Sequence, residues 1–251
     1  MSAQTATVFS AEDRIAYDRD GFLLKRGLLP QDWMRAIDEE TQALHEEMAR
    51  AVPEGAGVTW DKQVPGRPKR IRQLMNSELV CPTLMKAIHS DFVLDVIEGL
   101  IGPDITLFHS KLLMKAARDG TITPWHQDFG YWRHGHAAPV QVNCMLAIDP
   151  ATRENGCIQF VPGSQKRGLV EHIKEDTGYG FGIYLPGYFN PRNDAVAVEM
   201  QPGDCVFFGA LVIHGSDANK SDRGRRANTM AYTVTGDEPQ RCRGVVRGRA
   251  L

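Results

Sequence analysis

From Asp104 onward the chain is a succession of short β-branched and aromatic runs, at residues 105–116, 140–148, 157–161, 195–200, 205–213 and 228–235, separated by Gly, Pro, Asn and Asp. Runs of this kind with turn chemistry between them predict the strands of a sandwich or barrel. The separators Glu154-Asn155-Gly156, Pro162-Gly163-Ser164 and Gln201-Pro202-Gly203-Asp204 hold residues that tolerate positive φ or preset φ for a turn.

The first third has a different period. Ser10 followed by Asp13 predicts a capping box that opens a short helix, and Gly21 stops it. Residues 22–26 read as a strand. Pro30 suits the first turn of a helix, and Trp33, Met34, Ile37, Ala43, Leu44 and Met48 recur at three and four spacing through to about Ala51. A Gly/Pro-rich connection covers 53–68, and a second helix covers 82–100, closed by Gly102 and Pro103. The expected fold class is mainly β with flanking helices: a helical N-terminal third packed on an antiparallel double-stranded roll. One domain spans 1–251, with 1–9 and 238–251 as flexible or peripheral tails.

Net charge narrows the partners. With 29 Lys plus Arg against 31 Asp plus Glu, the formal charge is −2, too small to gather nucleic acid or an anionic membrane by long-range attraction. A small-molecule partner is favoured, and nothing bears on oligomeric state. No run approaches the roughly 18–20 apolar residues of a membrane span. The 5 cysteines match neither a paired-thiolate zinc site nor a disulfide framework, so reduced thiols and a cytoplasmic setting are expected. The first residues lack the basic start and apolar core of an export signal.

The densest chemical signal is Trp125-His126-Gln127-Asp128-Phe129. Alternate residues of a strand share a face, so His126 and Asp128 point together and Gln127 points away. His214 ends a strongly apolar run, where an imidazole without a role is expensive to bury. Two imidazoles and a carboxylate on one face of an octahedron leave three open positions, the arrangement of non-haem Fe(II) oxygenases. Arg225 follows in a basic stretch before the last long β-run, and its planar fork can hold a carboxylate with two parallel bonds. Taken singly, each has a duller reading: a chance His-x-Asp pair, a hydrogen-bonded edge histidine, a solvated basic turn.

In combination the motifs resemble a family. Trp125-His126-Gln127-Asp128-Phe129, Asn155-Gly156-Cys157, Val161-Pro162-Gly163-Ser164, His214-Gly215-Ser216 with Asn219 and Ser221, and finally Arg225, are similar to the phytanoyl-CoA dioxygenase (PhyH) family of Fe(II)/2-oxoglutarate oxygenases. The opening Asp20-Gly21-Phe22-Leu23-Leu24 resembles that family's start, and the similarity runs in order over about 12–236. The stretch from Trp125 to Trp132 is closest to bacterial members that hydroxylate small polar molecules such as ectoine or free amino acids. The resemblance implies a double-stranded β-helix (jelly roll, cupin-like) core, with Fe(II) held by His126, Asp128 and His214. It implies 2-oxoglutarate chelating the iron, its distal carboxylate on Arg225 with help from Ser216, and O2 at the remaining position. The implied reaction hydroxylates an unactivated C–H bond and releases succinate and CO2. Because Asp128 is retained, halogenation is disfavoured. Met145 stands where some acyl-CoA-oxidising members carry a Trp that contacts cosubstrate. Lys111 and His109 fall where relatives place polar contacts to cosubstrate or substrate.

For the substrate face, Phe129, Tyr131 and Trp132 suggest an aromatic wall, although core packing accounts for them as well. Arg70 and Arg72 alternate as in a strand and could pair an anionic group, or could be two surface arginines. Residues 171–193, with Gly178, Gly180, Gly182, Gly187, Tyr179, Tyr184 and Tyr188, have the composition of a flap or a plain surface loop. His134 and His136 read as exposed decoys, and Arg241, Arg243, Arg247 and Arg249 as a solvated basic tail. Two other functions stay open: a non-oxidative Zn(II) or Mn(II) enzyme on the same ligands, and a jelly roll that binds a ligand without catalysis.

Overall fold

The computed structural model describes residues 8–61, 66, 69–118, 120–175, 182–187, 191–237 and 244–248. Ser10 caps α1 (Ala11–Asp20) through the expected box, its hydroxyl accepting from the Asp13 N–H while the Asp13 carboxylate accepts from the Ser10 N–H. Gly21, at φ 85°, turns the chain from α1 into β1 (Phe22–Lys25), a conformation that only glycine adopts without cost.

The helix expected from Pro30 to Ala51 is two helices, α2 (Gln31–Gln42) and α3 (Leu44–Arg50), with Pro30 as the extended cap before the first turn. Near the break the buried Thr41 hydroxyl bonds back to the Ile37 carbonyl at 2.7 Å, a contact that loosens and bends a helix. The helix expected over 82–100 likewise divides into α4 (Pro82–Ile88) and α5 (Asp91–Ile101), because Ser90 is extended and its hydroxyl bonds the Ala87 carbonyl. Within the presumed connection lies β2 (Gly57–Trp60), paired with β3 (Ile71–Met75). Four residues at a sheet edge leave no periodicity to read.

The remaining elements are β4 (Ile105–Lys115), β5 (Thr123–His126), the single turn α6 (Phe129–Trp132), β6 (Val142–Ala147), β7 (Ile158–Phe160), β8 (Ile173–Lys174), β9 (Ile183–Tyr184), β10 (Val196–Ala197), β11 (Cys205–Gly209), β12 (His214–Ser216), β13 (Arg225–Val234) and β14 (Gly244–Arg247). The major sheet runs β1-β11-β6-β13-β4-β3-β2, with β14 also on β4, and the minor sheet runs β10-β7-β12-β5. Every strand pairing among the described residues is antiparallel. With its helical N-terminal region, this is the double-stranded β-helix that the sequence implied.

Period-two alternation divides the major sheet between two cores. Cys144 and Leu146 of β6, and Cys205 and Phe207 of β11, join Ile37, Leu44, Leu84, Val93 and Ile97 on the helical side. Met145 and Ala147, with Val206 and Phe208, instead face Ile158 and Phe160 of the minor sheet. The inner face is therefore fixed by the same alternation that hides the outer one, and the site is built on it.

The ends of the chain are more engaged than expected. Val8 and Phe9 pack on the helical core. Arg247, read as part of a solvated tail, lies on β14 and pairs with Asp91, Asp95 and Glu98 of α5. Arg241, Arg243 and Arg249 lie outside the described residues. Cys81, Cys144, Cys157 and Cys205 are buried and unpaired in disulfides. Among the described residues no helix is long and apolar enough to cross a membrane.

Candidate metal centre

His126 ends β5 and His214 begins β12, and the antiparallel pairing of these strands places the two residues opposite one another. Each ring is fixed in the same way. The Nδ1 atoms lie 2.8 Å from the Pro124 carbonyl and 3.0 Å from the Val212 carbonyl. A carbonyl can only accept, so Nδ1 carries the proton in both rings and each Nε2 presents a lone pair.

Asp128 arrives by a different route from the strand alternation expected. The strand stops at His126, and Asp128, at φ −59° and ψ −34°, is the residue from which α6 starts. This turn swings its carboxylate between the imidazoles: Oδ1 lies 3.6 Å from His126 Nε2 and Oδ2 3.7 Å from His214 Nε2. One ligand atom from each of the three residues falls within 4.8 Å of the others.

Asn143, which sequence reasoning missed, donates from Nδ2 to Asp128 Oδ2 at 2.7 Å. Its signal was present: it is the polar member of the inward set 143, 145, 147 in an otherwise apolar strand. Gln127 does point away, as expected. Its amide donates to the Gly168 and Leu211 carbonyls and accepts from the Val170 N–H, while the His172 ring accepts from the Gln127 N–H.

Charge states suit a cation. Burial, reinforced by His126, pushes His214 down to about 4, so it is a neutral ligand near neutral pH. Burial pushes the Asp128 carboxyl upward, but His214, His126 and Lys111 outweigh it and keep the group ionised. The neutral His214, the Nε2 of His126 and a hydrogen-bonded carboxylate fit a divalent iron with one protein face.

The three ligands open on a cavity of about 110 Å³ whose wall includes Lys111 and Lys115 of β4, Met145 of β6, Ser216 of β12, and Arg225 and Thr229 of β13. Lys111, Met145, Ser216 and Arg225 thus come together with the ligands, and Arg72 of β3 lies on the same wall. Arg225 is 4% exposed, and its Nε has no hydrogen-bond partner. Burial pushes its pKa down to about 10, which leaves it a cation. The turn that delivers it is built on buried Asn219, whose side chain bonds the Lys115 and Arg223 carbonyls and both the N–H and hydroxyl of Ser221. A buried guanidinium whose Nε lacks a partner, on the wall of this cavity, fits the free carboxylate of a bound diacid.

Other expected residues fall elsewhere. Phe129 and Trp132 pack with Phe108, Ala210 and Ala231 and are not on the cavity wall. His109 is buried against Phe108 and Trp132, also off the wall, with Nε2 unpartnered. Burial first and Lys111 second hold its pKa well below the usual value. Arg70 lines a separate cavity; it lies just before β3, so strand alternation does not carry it to Arg72's side. His136 is buried, not exposed, with Nδ1 on the Asp237 carbonyl and carboxylate. Of the expected flap, residues 176–181 and 188–190 lie outside the described residues. The described part hangs on the metal motif, through the Leu185 N–H on the Trp125 carbonyl at 2.8 Å and the Tyr131 hydroxyl on the Ile183 carbonyl.

Comparison with known families matches residues 17–227 to "Phytanoyl-CoA dioxygenase (PhyH)". A probable phytanoyl-CoA dioxygenase of Caenorhabditis elegans is 30% identical over 241 residues, covering 90% of this chain and 76% of the relative. The L-proline trans-4-hydroxylase of Streptomyces griseoviridis is 25% identical over 243 residues, covering 90% and 87%. Among solved structures, EctD from S. alaskensis with 2-oxoglutarate and 5-hydroxyectoine superposes with a TM-score of 0.76 at 19% identity, over 99% of this chain and 84% of that one.

Proposed function

The chain belongs to the phytanoyl-CoA dioxygenase (PhyH) family, and from that premise we propose that it hydroxylates an unactivated C–H bond of a polar small molecule. Its chemistry is that of an Fe(II)/2-oxoglutarate-dependent oxygenase, with His126, Asp128 and His214 as the iron ligands. The observation that carries this reading is the meeting of a three-residue metal face and a buried Arg225, its Nε without a partner, in one cavity. A water-activating Zn(II) or Mn(II) enzyme gives Arg225 nothing to hold.

With iron and 2-oxoglutarate bound, the centre supplies an oxidant strong enough to take hydrogen from a C–H bond, with succinate and CO2 as co-products. The protein's part is position and exclusion of water. Arg225, with Ser216 beside it, receives the distal carboxylate. Lys111, half-buried near Asp128, and Met145 border the space for the cosubstrate's other end. Asn143 holds Asp128 in orientation. Arg72, on the same wall, meets an anionic group of the substrate in this reading. A polar metabolite is supported by the kinship to the proline hydroxylase. Buried, reduced thiols support a cytoplasmic setting as part of the same proposal.

The test is anaerobic addition of Fe(II) and then 2-oxoglutarate. A weak visible charge-transfer band should appear with both and with neither alone. Its absence from folded protein would exclude the cosubstrate. Screening metabolite pools for the gain of one oxygen coupled to succinate then identifies the substrate.

A further inference from the structure

A second cavity, of about 280 Å³, lies at the Lys115–Arg225 end of the β4–β13 ladder beside α3. Its wall is basic: Arg70, Lys115, Arg225 and Arg226, with His45 beside them. Asp149, the acid on that wall among the described residues, is already taken by Arg226, through Nε at 2.9 Å and Nη2 at 2.7 Å. Arg226 also reaches Asp38 and Thr41, so its own donors are committed.

Lys115 and Arg225 are different. They are register partners on adjacent strands, and both line the second cavity and the metal cavity. The two spaces therefore share a wall made of these basic side chains. Among the described residues Arg225 forms no ion pair, and its Nε has no partner. Lys115 donates to two neutral carbonyls, those of Thr121 at 2.7 Å and Asp217 at 2.6 Å. Burial and then the adjacent Arg225 push its pKa down to about 6, against partial relief from Asp217, Cys157 and Asp61, so an added anion would favour its ammonium form. Two or more charged oxygens placed there would gain charge-assisted bonds in a low-dielectric setting.

We propose that the second cavity is a binding site for a small oxyanion, such as a dicarboxylate or inorganic phosphate, and that its occupant, sharing Lys115 and Arg225 with the metal cavity, weakens cosubstrate binding there. The second half rests on the oxygenase reading above. Coupling of this kind is reciprocal, so cosubstrate expels the oxyanion to the same degree. Succinate, the reaction's co-product, has the required chemistry, as does free phosphate.

The site is tested on the full, metal-free chain by calorimetric titration with inorganic phosphate and, separately, with succinate. Wild type is expected to bind phosphate at one site. Ala116→Glu puts a carboxylate on the wall of the second cavity, and Ala116 does not line the first; this variant should weaken binding at least tenfold. Arg70→Gln, which removes a cation from the same wall, should weaken it too. Absence of both phosphate and succinate binding in wild type, or undiminished binding in both variants, overturns the site. Succinate bound by wild type and lost in Ala116→Glu assigns the co-product as occupant; phosphate alone behaving so assigns the inorganic anion.

Coupling is read with Fe(II) added anaerobically. Phosphate should raise the dissociation constant of 2-oxoglutarate at least threefold in wild type and leave it unchanged in Ala116→Glu. An equal effect in both proteins means direct competition in the metal cavity and overturns the coupling. Failure of 2-oxoglutarate to bind even without phosphate removes the oxygenase reading and the coupling with it, while the calorimetric result decides the oxyanion site by itself.

Discussion

His126 and His214 face each other across the β5–β12 pair with their ring centroids 4.2 Å apart. Each is held by an Nδ1 bond to the carbonyl two residues before it. The symmetry means that neither ring can be spared. His126→Ala or His214→Ala should lower Fe(II) affinity at least 100-fold and abolish succinate formation, while circular dichroism and cooperative unfolding persist. Iron retained by either variant in a competition with a chelator would place the metal elsewhere.

Asn143 holds Asp128 from behind with a 2.7 Å bond. Asn143→Leu keeps the volume and removes the donor. Partners of a metal ligand typically contribute about 10- to 100-fold in affinity or activity. The variant should therefore bind Fe(II) about 10- to 100-fold more weakly, with the fold intact. Unchanged iron affinity would show that the carboxylate is oriented by α6 alone.

The chemistry was more legible than the backbone that delivers it. His126, Asp128 and His214 were legible in combination, because two imidazoles and a carboxylate among apolar residues need a reason to be there, whereas Arg225, in a basic stretch that reads alone as a solvated turn, gained its meaning only from them. The route to Asp128 was not legible. Strand alternation and the actual turn into α6 both put it beside His126, and the one-dimensional pattern cannot tell them apart. The capping box at Ser10 was readable because it is local. The division at Ala43 was not, since Thr41 and Asp38 there are drawn to Arg226, far along the chain. Arg70 and Arg72 looked equivalent until β3 began between them. His136 looked exposed because Asp237, which buries it, lies in another loop.

Arg225→Gln should separate cosubstrate binding from metal binding. A hydrogen bond to a charged group contributes about 1.5–3 kcal/mol, which corresponds to roughly 10- to 150-fold in affinity. The expected result is a KM for 2-oxoglutarate raised by that factor, with Fe(II) affinity unchanged. An unaltered KM would remove Arg225 from the cosubstrate's carboxylate.

Gln127 joins the metal motif to the segments at Gly168, Val170 and Leu211 through three bonds made by one buried amide. Gln127→Leu leaves two carbonyls and one N–H without that partner. Each buried group left unsatisfied costs about 1–3 kcal/mol, so the loss in unfolding free energy should be about 3 kcal/mol or more. Urea titration measures it, and a loss under 1 kcal/mol would mean that water or a neighbour replaces the amide.

Lys115 gives the stability a pH dependence of definite sign. Its folded pKa is pushed down to about 6 by burial first and Arg225 second, against partial relief from Asp217, Cys157 and Asp61. The unfolded chain holds this proton up to about pH 10. Between those limits the unfolded state binds more protons, so this group makes the fold more stable as pH rises, by up to about 1.4 kcal/mol per pH unit. Lys115→Met lacks the titration, and every other group cancels in the comparison. The advantage of wild type over the variant should therefore grow steadily between pH 7 and pH 9 in urea unfolding. At the lower pH the gap narrows, because the cost of deprotonating Lys115 on folding offsets its two carbonyl bonds. Parallel stability curves would mean that Lys115 keeps its proton in the folded protein, with an anion close enough to stabilise it.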